Sequence, residues 1–156
     1  MTSTIEIETA VPASRMFKAA FLEWHNLAPK VVPDHIKSAS AVHVDGGVGS
    51  VRQINFTPAL PFPYVKERLD FLDVENCEAK QTLIEGGDLG TKLESLCTHF
   101  KFTPTSSGGS TCKVTTTYKV LPGVTPGDEE AKAKEGLTNT IKATEAYLLA
   151  NPSVCA

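Results

Sequence analysis

The chain has 156 residues, 41% of them hydrophobic and 21% charged, which suits one globular domain, residues 1–156, with a real core. Its 15 basic and 18 acidic side chains leave a formal charge of -3, which provides no electrostatic footprint for duplex nucleic acid. No apolar run approaches a membrane span, and Met1-Thr2-Ser3-Thr4-Ile5-Glu6 lacks the basic region and apolar core of a secretory signal, so a cytoplasmic protein is expected.

In chain order, residues 4–11 alternate and predict a strand. Pro12-Ala13-Ser14 then opens a helical stretch with Met16, Phe17, Ala20, Phe21 and Trp24 at helical spacing. His25-Asn26 is expected to interrupt it, with Asn26 capping a second short helix, Pro29 in its first turn and Pro33 ending it. Two short helices in a V follow from this reading.

Strand patterns take over at residue 36. Residues 36–44 lead into the glycine-rich turn Asp45-Gly46-Gly47-Val48-Gly49-Ser50, and residues 51–56 lead out of it. After the stiff connection TPALPFP come four longer strands, 64–73, 77–85, 91–102 and 110–121. The segment TLIEGGDLG ends the second of these in paired glycines, which suit a backbone reversal with positive φ. Cys77, Cys97, Cys112 and Cys155 show no CxxC spacing, so neither a zinc site nor a redox pair is suggested; the even count permits a disulfide framework, but without a secretory signal free thiols are expected.

Residues 128–150 predict one long helix, stopped by Asn151-Pro152. Its inner face, Ala133, Leu137, Thr140, Ile141, Thr144 and Leu148, is poor in bulk for a helix over a solid core. Either the helix approaches the sheet closely, or it covers a cavity. Strand parity favours the cavity. Leu96, Thr98, Phe100 and Phe102 share one face, as do Cys112, Val114, Thr116 and Tyr118, while Val65, Glu67, Leu69 and Phe71 form the matching set on residues 64–73. Ala79, Gln81 and Leu83 complete this inner surface, so Glu67, Gln81, Thr98 and Thr116 are polar groups among apolar ones. Apolar walls with a few placed polar groups are the usual make-up of a small-molecule pocket.

The blocks RMFKAAFLEWHNLAPKVVP, DGGVGS, PFPYVKERLD, LIEGGDLG, GGSTCKVTTTYK and KATEAYLLANP run nearly end to end. On them the chain resembles the plant pathogenesis-related class 10 proteins, the group that includes the major birch pollen allergen. The resemblance implies an α+β helix-grip (START-like) fold. In it, a seven-stranded antiparallel sheet wraps around a long C-terminal helix, two short helices form a V, and a large hydrophobic cavity lies between. It also implies a monomeric plant defence or stress protein that binds flavonoids, cytokinins or other hormones, fatty acids or sterols, without a cofactor. In that reading Phe56, Phe62 and Tyr64 frame an entrance, while Glu67, Gln81, Thr98 and Thr116 orient the ligand's polar groups. Leu83, Leu96, Phe100, Val114, Leu137 and Ile141 supply apolar wall.

The family's glycine loop maps to Asp45, Gly46, Gly47 and Gly49, but a Walker loop needs a lysine after its last glycine, and Ser50-Val51-Arg52 follows here. A tight turn is the default reading, with Arg52 close enough to attract an anion. Ribonuclease activity reported across the family is attributed to residues mapping to Glu94, Glu145 and Tyr147 with that loop, which makes RNA the alternative partner. Norcoclaurine synthase, an enzyme relative joining an amine and an aldehyde, directs attention to Lys134 and Glu67 as the only obvious acid/base groups. EGGDLG does not look like the gate of the related abscisic-acid receptors, and their latch is absent. His25, His35, His43 and His99 have no ligand spacing, so no metal is assigned.

Overall fold

The computed structural model describes residues 1–41, 47–125 and 127–156. Strand β1 (Thr2–Thr9) leads into helix α1 (Ala13–Phe17), a π-helical turn (Lys18–Leu22) and helix α2 (Trp24–Val31). Strands β2 (Ile36–Ala41), β3 (Val51–Phe56), β4 (Tyr64–Asp73), β5 (Glu78–Gly86), β6 (Leu93–Pro104) and β7 (Ser110–Val120) follow, and helix α3 (Glu129–Ala150) comes last. All seven strands form one sheet in the order β1-β7-β6-β5-β4-β3-β2, every neighbouring pair antiparallel. The short helices therefore carry the chain from one edge of the sheet to the other. No helix among the described residues is long and apolar enough to cross a membrane.

Three local expectations are corrected. The helical break comes from the π turn, where the Glu23 amide reaches back to the Lys18 carbonyl at 2.7 Å, and not from His25-Asn26. Asn26 consequently lies inside α2 and caps nothing, its side chain donating to Glu23 Oε2 at 2.8 Å, and Pro29 sits in the helix interior. On β4 the inward parity fails after Leu69. Leu69 opposes Gln81 and Phe71 opposes Lys80, so Asp70 is an extra residue, a bulge that reverses the side-chain alternation. Phe71 is thus exposed beneath Lys80, and Leu72 packs on the core instead. The 42–46 part of the glycine turn, with Asp45 and Gly46, lies outside the described residues.

The main core fills one end of the molecule. Phe17 stacks on Phe21 at 5.6 Å between centroids and meets Phe102 edge-on at 5.7 Å. Met16, Val11, Val114, Cys112 and Leu148 are fully buried with them. Arg15 anchors the C-terminus of α3 there: Nε donates to the Val154 carbonyl and Nη2 to those of Leu148 and Asn151, each at 2.9 Å. A cation thus meets carbonyls that a helix end leaves unpaired. At the other end the β5–β6 turn depends on Gly86 (φ +82°), where a Cβ would lie 2.3 Å from the Tyr64 carbonyl oxygen. All four cysteines are free.

Candidate functional site: a cavity under the C-terminal helix

Between the sheet and the first half of α3 lies a partly open cavity of about 500 Å³. Leu137 and Ile141 of α3 line it opposite Leu96, Phe100 and Val114 of the sheet, and Phe21 and Trp24 also line it. Asp88, Lys92, Glu129, Glu130 and Lys134 make a charged rim, with a Lys92–Glu129 ion pair at 3.2 Å joining the β5–β6 turn to the start of α3. Tyr118 also lines the cavity, and its phenol is held above its ordinary range by burial and by Glu130.

Strand register explains the distribution of polarity. Ile5 opposes Val114, Val114 opposes Phe100 and Phe100 opposes Ala79, an apolar row across four strands. One pleat further on the same face, Ser3 opposes Thr116, Thr116 opposes Thr98 and Thr98 opposes Gln81. Gln81 Nε2 donates to Glu67 Oε2 at 2.7 Å, and Glu67 opposes Arg52 on β3. A polar belt therefore crosses six strands of the cavity face, from Ser3 to Arg52, and all six residues line the cavity. The hydroxyls of α3 add little to it. Thr140 and Thr144 donate to the carbonyls of Gly136 and Thr140, each at 2.8 Å, so their hydrogen bonds are spent within the helix.

The belt ends in its only charged groups. Burial pushes the Glu67 carboxyl above its usual range, and Arg52 draws it partly back. Burial likewise lowers the Arg52 guanidinium, which Glu67 offsets. The guanidinium lies over the Phe21 ring, 4.8 Å from its centroid, and Nη1 donates to the Phe21 carbonyl. Next to it, His25 is held below its ordinary value by burial and by Arg52, and its buried Nδ1 has no partner among the described residues.

Of the sequence-predicted ligand set, Glu67, Gln81, Leu96, Thr98, Phe100, Val114, Thr116, Lys134, Leu137 and Ile141 meet in this cavity. Phe56, Phe62 and Tyr64, expected at an entrance, and Leu83, expected in the wall, do not line it. Phe56 and Phe62 pack on each other at 5.4 Å, and Phe56 also packs against a separate cluster of Ala28, Ile36 and Ile54. Tyr64 donates to Glu85 at 2.6 Å on the outside, while Leu83 is buried near the Gly87 turn. Arg52 and Ser3 were not assigned to the cavity from sequence. Parity carried that signal, since Arg52 alternates with Ile54 and Phe56, and Ser3 with Ile5 and Ile7.

The residues considered for RNA cleavage occupy separate places. Glu94 pairs with Lys119 at 3.2 Å, whereas Glu145 accepts the Ala10 amide at 2.6 Å and pairs with Lys142 at 3.3 Å. The Tyr147 carbonyl accepts from Asn151 at 2.9 Å, and none of the three residues lines the cavity. At the described end of the glycine turn, the Gly49 amide donates to the Leu69 carbonyl at 2.8 Å and the Ser50 amide to that of Gly47 at 3.0 Å.

An antiparallel sheet, a long terminal helix and a mostly apolar cavity between them define a helix-grip domain. Residues 1–151 match the pathogenesis-related protein Bet v 1 family, and the chain belongs to that family. It is 61% identical to pathogenesis-related protein 1 of Asparagus officinalis over 95% of this chain and 93% of the relative. The crystal structure of Ara h 8.0201 superposes with a TM-score of 0.84 at 28% identity, covering 97% of this chain and 99% of that one. Norcoclaurine synthase from Thalictrum flavum, at 24% identity with a TM-score of 0.78 over 96% of this chain and 87% of its own, shares the fold.

Proposed function

We propose that this protein binds a hydrophobic or amphipathic plant metabolite, such as a flavonoid, hormone, fatty acid or sterol, between sheet and α3. The observation that carries the reading is the cavity of about 500 Å³, with apolar walls and one polar belt. Its volume falls within the range of small-molecule pockets. Burying about 200–300 Å² of apolar ligand surface contributes roughly 5–8 kcal/mol before the entropic cost of association, which predicts micromolar, broad binding. Action as a cytoplasmic monomer in defence or stress belongs to the same proposal.

Leu137→Trp tests it, because an indole at that position fills the space between α3 and the sheet. The variant is expected to lose binding of the apolar fluorophore N-phenyl-1-naphthylamine while keeping native far-UV dichroism. Unchanged fluorophore affinity in the folded variant would count against the cavity as the binding site.

A second reading is favoured by one observation: Lys134 and Glu67 both line the cavity. An amine and a carboxyl facing the same cavity are the groups an amine–aldehyde condensation requires. Condensation that disappears with Lys134→Met would support this reading, and condensation that persists would remove Lys134 from it. The ribonuclease reading gains no such support, because Glu94 and Glu145 are held in different ion pairs.

A further inference from the structure

We infer that the Arg52–Glu67 end of the belt is an anchor for a neutral hydroxyl group, so that the protein selects hydroxylated ligands over their ethers and over carboxylates. The inference rests on the cavity reading above and adds the chemistry of the ligand's polar end.

The argument begins with what the two side chains leave unused. Arg52 has five N–H donors, of which one is directed to the Phe21 carbonyl. Its Nε and Nη2 have no partner among the described residues. Glu67 has two oxygens, and only Oε2 is engaged, by Gln81. The two residues are cross-strand partners on one face of the sheet, yet no direct ion pair forms between them, and both border the cavity. Free donors therefore stand beside a free acceptor, both facing the cavity.

Such a pair discriminates between polar groups. A hydroxyl accepts a hydrogen bond from Arg52 and donates one to Glu67 at the same time. An ether oxygen accepts only, and occupying the same place leaves Glu67 desolvated and unpaired. A carboxylate suits the guanidinium but meets the Glu67 charge in a site of low polarity, where like charges repel strongly. The surroundings preserve this selectivity. Phe21 covers one side of the guanidinium, and the neighbouring His25 is disfavoured as a cation, so Arg52 remains the cationic donor at this end of the cavity. Ser3, Thr98 and Thr116 extend along the belt from the anchor. A long, flat molecule with a hydroxyl at the anchor would lie along that belt with its apolar body against the rows on either side.

The test uses three matched fluorescent probes: trans-4-hydroxystilbene, trans-4-methoxystilbene and trans-stilbene-4-carboxylate, titrated at neutral pH. Wild-type protein is expected to bind the hydroxyl compound about tenfold more tightly than the methyl ether, with the carboxylate no better than the ether. Glu67→Gln removes the repelling charge and leaves Arg52 without a neighbouring counter-charge, so carboxylate affinity is expected to rise about tenfold. Arg52→Met combined with Glu67→Leu replaces both partners by apolar groups of similar length. In it the hydroxyl preference should vanish while the ether still binds. If that variant does not fold, the wild-type and Glu67→Gln titrations decide alone. Equal binding of hydroxyl and ether probes to wild type, or a carboxylate affinity unmoved by Glu67→Gln, overturns the anchor while leaving the cavity reading intact. If none of the probes binds wild type, the cavity reading fails, and the anchor with it.

Discussion

Along α3, residues 141–150 are built into the protein, whereas residues 129–140 lie over open space. In the second half Ile141, Thr144 and Leu148 are buried, Glu145 receives the Ala10 amide, Lys142 donates to the Glu8 carbonyl at 2.6 Å, and Arg15 holds the terminal carbonyls. The first half has no side-chain cap and no buried residue, and a Cβ added at Gly136 would meet nothing within 4 Å. One continuous helix thus serves as core at one end and as cover at the other. The sequence difference behind this is small: Leu148 packs against Phe17, Phe102 and their neighbours, while Ala133 and Leu137 face the cavity. A terminal anchor of this kind supports a cavity that the hydrophobic effect alone would tend to collapse.

The largest expected contrast is kinetic. Burial raises the Cys112 thiol to about 12, and the residue is fully inaccessible in the solid half. Its alkylation should require global unfolding, at a rate roughly a thousandfold or more below that of a cysteine introduced by Leu137→Cys. Peptide mapping after timed iodoacetamide labelling distinguishes these sites from exposed Cys97. Comparable rates at 112 and 137 would break the division of the molecule into solid and hollow halves.

Equilibrium stability gives the next measure. Phe102→Ala leaves a void among Phe17, Met16 and Cys112, and should cost about 3–5 kcal/mol in urea unfolding. Leu137→Ala enlarges a cavity that already exists, and should cost less than about 1.5 kcal/mol. In the opposite direction, Gly136→Ala is expected to stabilise by about 0.5–1 kcal/mol, because helix propensity improves and the new methyl meets no neighbour. A loss there would mean that the glycine is needed for closer helix–sheet approach than the structure has.

Which of these features could be read from sequence follows from how local their causes are. Strand alternation and the glycine turns are local, so the observed β3 to β7 lie within two residues of their expected bounds, whereas the weak inner stripe of α3 leaves close approach and a cavity cover both open until strand parity is added. The π turn at Lys18–Leu22 is not local in that sense. Its wider winding satisfies packing of Phe17 and Phe21 against Phe100 and Phe102, partners that lie far along the chain. The Asp70 bulge is equally silent, since VKERLDFLD alternates well enough to carry Phe71 inward on paper. The site was legible where parity held, at Gln81, Thr98 and Thr116. It was misread at Phe56 and Phe62, whose apolar face belongs to the α2 side of β3. Arg52 is easily read as a solvent residue because an arginine beside a glycine turn suggests water, although its parity with Ile54 and Phe56 and its cross-strand partner Glu67 both place it inside.

The smallest effect on stability is expected at the rim, where the consequence for the hollow half is nevertheless specific. Lys92 and Glu129 are each about half exposed, at 49% and 45% of their side-chain surface, and an ion pair of that kind contributes only about 0.2–1 kcal/mol. Removing it by Lys92→Met should therefore leave the melting temperature nearly unchanged. Yet it is the one ion pair among the described residues that joins the sheet to the unburied half of α3, so its loss should appear there first. Amide exchange of residues 129–136 is expected to accelerate in Lys92→Met, with that of residues 141–148 unaffected. Salt provides the internal control. At about 1 M the screening length falls to roughly 3 Å, so wild-type exchange over residues 129–136 should rise toward that of the variant, which itself should respond little. Wild-type exchange that ignores salt would show that the start of the helix is held down by its own packing over the cavity, and the contrast between the two halves would then be one of degree.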